Sequence, residues 1–182
     1  MYIQGRDKHF RPIMVMNARK FIENAHNTDS LVAAMAITIE YIKYYMMEPG
    51  HIENVINIID LTGVGFSTSI TPLAQKFKET IASNYKALGR DVYMLNCPTT
   101  FSLVWNTIKY CFDETSVRKI TITSKSSCPE LLELMQPNQI EQKYGGTAKN
   151  RAQGDFWPPS LPDNDFSRDL EKKPAIAFPL NF

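Results

Sequence analysis

No stretch of this 182-residue chain is long and apolar enough to read as a membrane span. The nearest is Leu31 to Met47, which is slightly short and carries Glu40 and Lys43 near its middle, as a buried helix would. The opening residues, MYIQGRDKHF, lack the apolar core of a secretory signal. Cysteine is scarce. Cys97, Cys111 and Cys128 are odd in number and lack metal-ligand spacing, which fits free thiols in a reducing compartment. Histidine is equally sparse. His9, His26 and His51 sit in turn-like segments, with no HExxH and no Cys/His pair, so they read as surface residues. Neither sign of charge dominates: 20 Lys and Arg face 19 Asp and Glu, a formal net charge of +1. Nothing in that balance suggests a nucleic-acid binder, whose electrostatic footprint would be a strongly basic face.

Enzyme signatures are also missing. Gly63-Val64-Gly65 follows a strand-like run, but no third glycine follows and Phe66 is bulky where a phosphate would approach, so the segment reads as a turn. There is no GxSxG elbow and no Walker lysine. Cys97 lies just past a strand end without a histidine in any motif, which favours a buried, inert thiol over a nucleophile. Arg118, Lys119 and Lys125 read as a solvated rim, and the PxxP within Phe156 to Pro162 as a packing segment rather than an SH3 ligand.

What is present is an alternation of strand and helix. Gly5 to Pro12 is turn-like, and Ile13 to Asn17 is a short strand. Asn27 to Ser30 offers caps for a long helix through Met47, stopped by Pro49-Gly50. Asn54 to Leu61 and Asp91 to Asn96 read as strands covered on both faces. A helix runs between them from about Thr71 to Lys86, with Pro72 in its first turn. Lys119 to Thr123 is a fourth strand, and CPELLELM a last short helix. This order predicts an α/β sandwich around a largely parallel sheet. Composition changes after Gly146. Residues 151–182 hold five prolines and no long apolar period, which predicts an extended tail packed on the body.

One helix is unusual. At about 100° per residue, the helix opening TTFSLVWNTIKYCFDETSVRKITI (Thr99 to Ile122) gathers Ser102, Asn106, Lys109 and Asp113 into one narrow polar stripe. Its apolar residues cover about twice the arc that an ordinary surface helix needs. Taken alone, this pattern fits a helix buried on both sides, between sheet and tail.

Four segments in order, GRDKHFRPIMV, INIIDLTGVG, NYKALGRDVYMLNCPTTFSLVWNTIKYCFDETSVRKITITS and ELLELMQPNQIEQKYGGT, resemble the CRAL-TRIO lipid-binding domain, above all its phosphatidylinositol/phosphatidylcholine transfer proteins. The resemblance spans about Gly5 to Thr147. It implies a lipid-binding domain over residues 1–150, non-enzymatic phospholipid binding and transfer between membranes, and a gating helix over an apolar cavity. It implies no cofactor beyond the bound lipid, transient contact with a membrane surface, and a cytoplasmic, peripheral location. The alternative it leaves is a lipid-sensing adaptor module with little transfer activity.

Carried over by position, the family's cavity sites match Val92, Met94, Phe101, Trp105, Ile108, Ile120 and Ile122. Its headgroup sites match Ser67 for choline, and Ser116 and Lys119 for phosphate. A hydroxyl and an ammonium suit phosphate oxygens. The family's inositol-binding glutamate falls at Ala87, and its N-terminal helical lobe, which supplies another headgroup lysine, has no counterpart in these residues. These departures predict weak preference for phosphatidylinositol over phosphatidylcholine.

Overall fold

The computed structural model describes residues 1–65, 75–77, 79–80, 84–85, 88–111 and 113–152, with the side chains of residues 104, 107, 108 and 111 excepted. Its centre is a five-stranded sheet in the order β1-β2-β3-β4-β5. The strands are β1 (Tyr2–Arg6), β2 (Pro12–Asn17), β3 (Val55–Asp60), β4 (Gly89–Leu95) and β5 (Ile120–Ile122). β2 through β5 pair in parallel, as the alternating pattern predicts. β1 was not anticipated. It pairs antiparallel to β2, so the stretch read as a turn from Gly5 begins inside a strand. The true turn is held by the fully buried Asp7, whose Oδ1 accepts from the backbone of His9 and Arg11 while Oδ2 accepts from Arg11 Nε.

Helices α1 (Ala18–Glu23) and α2 (Thr28–Tyr45) connect β2 to β3. Asn17 caps α1 by accepting from the Lys20 amide. Helix α3 (Phe101–Ile108), its 3-10 extension (Lys109–Cys111) and helix α4 (Glu114–Arg118) connect β4 to β5. The α3 helix is shorter than its sequence suggests. Asp113 starts α4 instead of ending α3, its carboxylate accepting from the Ser116 amide. Helix α5 (Pro129–Leu134) follows β5, with Pro129 at its start. The predicted helix from Thr71 to Lys86 lies mostly outside the described residues, as does the predicted packing of the 151–182 tail beyond Ala152.

The alternation of side chains along each strand divides the molecule. One face carries Ile13, Val15, Ile56, Ile58, Tyr93 and Leu95, sealed by Leu131, Met135, Ile140 and Tyr144 from α5 and the segment after it. The other face meets α1, α2 and α3. There, among the described residues, the buried side chains form three clusters, two of them sharing Met1 and Leu88 at their margins.

Candidate functional site

The two faces of the central strands are not equally closed. On the α5 face, Ile56, Ile58, Tyr93 and Leu95 are all at most 5% exposed. On the α3 face of the same two strands, Asn57, Ile59 and Val92 are only half-buried. Central strands have neighbours on both edges, so this accessibility comes from the space above the sheet. The register sets Asn57 beside Val92, Val92 beside Ile120, and Met94 beside Ile122. The result is a continuous floor across three strands.

Five of the seven cavity positions assemble there. Met94 and Phe101 are buried in one cluster with Ala18, Leu61, Val64 and Cys97, and Val92, Trp105 and Ile120 pack against it half-buried. The Phe101 and Trp105 rings stack with centroids 6.4 Å apart, one helical turn from each other on the inner side of α3. Ile122 shares the face of Ile120 but is 38% exposed at the sheet edge, outside that cluster. Ile108 closes α3, and its side chain lies outside those described. Opposite the inner rings, α3 exposes Leu103 (62%) and its 3-10 extension exposes Tyr110 (79%). Both apolar sides read from the sequence are therefore real, one against the sheet and one facing out.

The loop into α3 is anchored by a residue that the sequence reading passed over. Asp60, at the end of β3, is buried. Its Oδ1 accepts from the Thr62 amide, the Thr62 hydroxyl and Asn96 Nδ2, and its Oδ2 accepts from Tyr144 OH at 2.8 Å. Burial alone would raise its pKa. The hydrogen bonds from Thr62, Asn96 and Tyr144 outweigh burial and hold the carboxyl below its ordinary value. Asn96 carries a left-handed backbone, φ +56°, at the end of β4. Cys97 follows it, bonded through its amide to Thr123 O. An aspartate followed two residues later by threonine at a strand end is an Asx-type turn, and that signal was available in the sequence.

The polar candidates lie at the opposite end of the strands. Lys119 is half-buried and donates from Nζ to Gly89 O at 3.0 Å. Ser116 donates its hydroxyl to Asp113 Oδ2 at 2.7 Å, so that proton is engaged by a carboxylate. Ser67 and Ala87 lie outside the described residues. His9, His26 and His51 are exposed. Among the described residues no group of three or more His, Cys, Asp or Glu could hold a metal ion. Among them, too, no helix is long and apolar enough to cross a membrane. Cys97 and Cys128 are free and buried, on opposite faces of the sheet.

The family model described as the CRAL/TRIO domain matches residues 1–146. Among curated proteins, the chain is similar to the phosphatidylinositol/phosphatidylcholine transfer protein SFH4 of Arabidopsis thaliana, at 25% identity over 82% of this chain and 27% of that protein. It is also similar to the Sec14 cytosolic factor of Schizosaccharomyces pombe, at 34% identity over 55% of this chain and 36% of that protein. It thus spans only a minor part of the length of these relatives. Among solved structures, Sfh5 superposes with a TM-score of 0.68 at 18% identity, over 94% of this chain and 64% of that one, a likeness of fold.

Proposed function

The chain belongs to the CRAL/TRIO domain family, and on that premise we propose that it holds one lipid over the α3 face of the sheet and exchanges it with membranes without any covalent step. The acyl chains lie on Val92, Met94, Ile120 and Ile59, under Phe101 and Trp105. The observation that carries this reading is the half-exposure of Asn57, Ile59 and Val92 in the middle of a sheet whose other face is sealed. An apolar surface left accessible beneath helices is stabilised by an apolar occupant, at about 0.8 kcal/mol per buried CH₂. A two-chain lipid held that way leaves slowly for water and needs α3 to open at a bilayer. Leu103, exposed on α3, and Tyr110, exposed on its 3-10 extension, are the side chains placed to meet that bilayer. Lys119 supplies charge for a phosphate. Ser116 joins it only after its hydroxyl turns away from Asp113.

Native mass spectrometry of the purified chain tests the reading, together with transfer of a fluorescent phospholipid between vesicles. We expect a bound lipid mass in the wild type. Met94→Asp, which puts an unpaired carboxylate on the floor, should lose both the lipid mass and transfer while keeping the helical and strand circular dichroism. A folded wild type without lipid, unable to transfer it, would overturn the proposal in favour of an adaptor module.

A further inference from the structure

We propose that the outward face of α2 is the docking surface for this chain's own segment FWPPSLP, Phe156 to Pro162. The face is apolar where a surface helix is ordinarily charged or polar. At about 100° per residue, Ala33, Ile37, Tyr41 and Tyr44 fall in one stripe. Ile37 is 61% exposed and Tyr44 67%, and Tyr45 beside them is 48% exposed, its ring centroid 4.8 Å from that of Tyr41. The charged residues of α2 stand to one side of the stripe and are engaged there. Asp29 pairs with Lys76 at 3.4 Å, Glu40 pairs with Lys43 at 3.2 Å, and Lys43 Nζ lies 5.5 Å from the Tyr85 ring centroid. The contacts of Lys76 and Tyr85 fall on that flank and leave Ile37 and Tyr44 open.

The occupant follows from where the described chain stops. Arg151 Nε donates to Gln4 Oε1 of β1 at 2.8 Å, and the Arg151 amide donates to Glu141 Oε1, a carboxylate that also accepts from Tyr2 OH of the same strand. The chain is thus held beside β1, the edge strand of the sheet. The C-terminal half of α2 lies over that strand: Ile42 and Met46 pack with Ile3, and Met46 O accepts from Arg6 Nη1 at 2.8 Å. Residues 153–162 can span up to about 35 Å, enough to round the edge and a helix about 10–12 Å across. The segment they bring is uncharged between Asp155 and Asp163, and joins Phe156, Trp157 and Leu161 to Pro158, Pro159 and Pro162. Proline-rich stretches are preformed and lose little entropy when they settle on aromatic side chains. Tyr41, Tyr44 and Tyr45 supply such a surface. The charged run that follows, Asp163 to Lys173, does not match an uncharged stripe. Because the segment is tethered, its effective concentration is on the order of millimolar, so modest contacts keep it docked. Docking is independent of lipid binding.

Trp157 reports the docking once Trp105, the other tryptophan, is replaced. In the full chain carrying Trp105→Phe, Trp157 fluorescence should be blue-shifted from that of tryptophan in water. Ile37→Asp combined with Tyr44→Asp should lose the shift, since covering a carboxylate with an apolar segment is unfavourable. Both positions are exposed, so the circular dichroism should match the parent. Leu161→Asp, which leaves α2 untouched, should lose the shift as well. Water-like emission of Trp157 in the parent overturns the proposal, and so does a shift kept by the folded α2 double variant or by Leu161→Asp. A parent that is dimeric by light scattering, with a monomeric α2 double variant, also overturns it and gives the stripe to a second copy.

Discussion

At Gly146 the chain runs against its own backbone. A Cβ placed there would lie 2.0 Å from Ile140 O and 2.6 Å from Pro137 O, and neither carbonyl can turn aside as a side chain would. Gly146→Ala should therefore destabilise the fold by on the order of 3 kcal/mol, lowering the melting temperature by roughly 6–12 °C for a chain of this size. Differential scanning calorimetry checks it, and an unchanged transition would contradict the close approach. Gly5 is a milder case, since the atom 2.6 Å from its Cβ would be Gln139 Oε1, on a side chain, with the Gln139 backbone oxygen at 3.1 Å. Cys97 was legible as an inert thiol. Burial raises Cys97 to about 11 and also raises Cys128, so neither carries much thiolate at neutral pH. Asp60 was less legible. Its sequence neighbours indicate a turn, but the partners Asn96 and Tyr144 are 36 and 84 residues away.

Among the elements, α3 carries the functional argument. Its sequence showed two apolar sides, and the fold assigns them. Phe101 and Trp105 go inward and Leu103 and Tyr110 outward, with Lys109 Nζ 5.3 Å from the Tyr110 ring centroid. Leu103→Asp combined with Tyr110→Asp should slow phospholipid transfer between vesicles by about tenfold or more, because each loses the gain from burying an apolar side chain in the bilayer surface. The bound lipid mass and the melting temperature should stay close to wild type. A transfer rate unaffected by both charges would detach the outer face of α3 from the exchange step. Strands β2, β3, β4 and β5 followed from their short apolar runs, β-branched above all in β3. β1 was missed because Tyr2–Arg6 contains Gln4 and Gly5, which have low strand propensity. It is a strand because β2 and Gln139 hold it there, the latter accepting from the Arg6 amide at 3.1 Å.

At the scale of the molecule, buried ionisable groups define a pH window. The Asp60 carboxyl is held below its ordinary value, so its contribution is complete above the unfolded pKa near 4 and is lost as pH falls through the folded value. Tyr93 is raised to about 12, first by burial and then by the charge of Asp91. Tyr2 and Tyr144 are raised further, chiefly by burial. Their contribution is complete below the unfolded tyrosine pKa of about 10 and is lost as pH rises through the folded values. Stability measured by urea denaturation should fall as pH drops below roughly 5 and as it rises above roughly 9. Tyr144→Phe should shift the acid limb upward, since it removes the hydrogen bond that Tyr144 OH donates to Asp60 Oδ2. An acid limb identical to wild type would remove Asp60 from that role.

The positions Val92, Met94, Phe101, Trp105 and Ile120 came from the resemblance to the CRAL-TRIO domain; the sequence by itself determined the alternation of strands and helices and the two-sided character of α3. These are properties of local periodicity, and a period of two or 3.6 fixes which side chains share a face before any packing occurs. Tertiary structure decided the rest. It added the antiparallel edge strand, tied the loop before α3 to Asp60 and Tyr144, moved Ile122 to the rim, and left Asn57 open over the floor while sealing the opposite face. Each of these depends on which distant segments come to lie against one another, and that is set by the packing of whole layers rather than by any run of neighbouring residues.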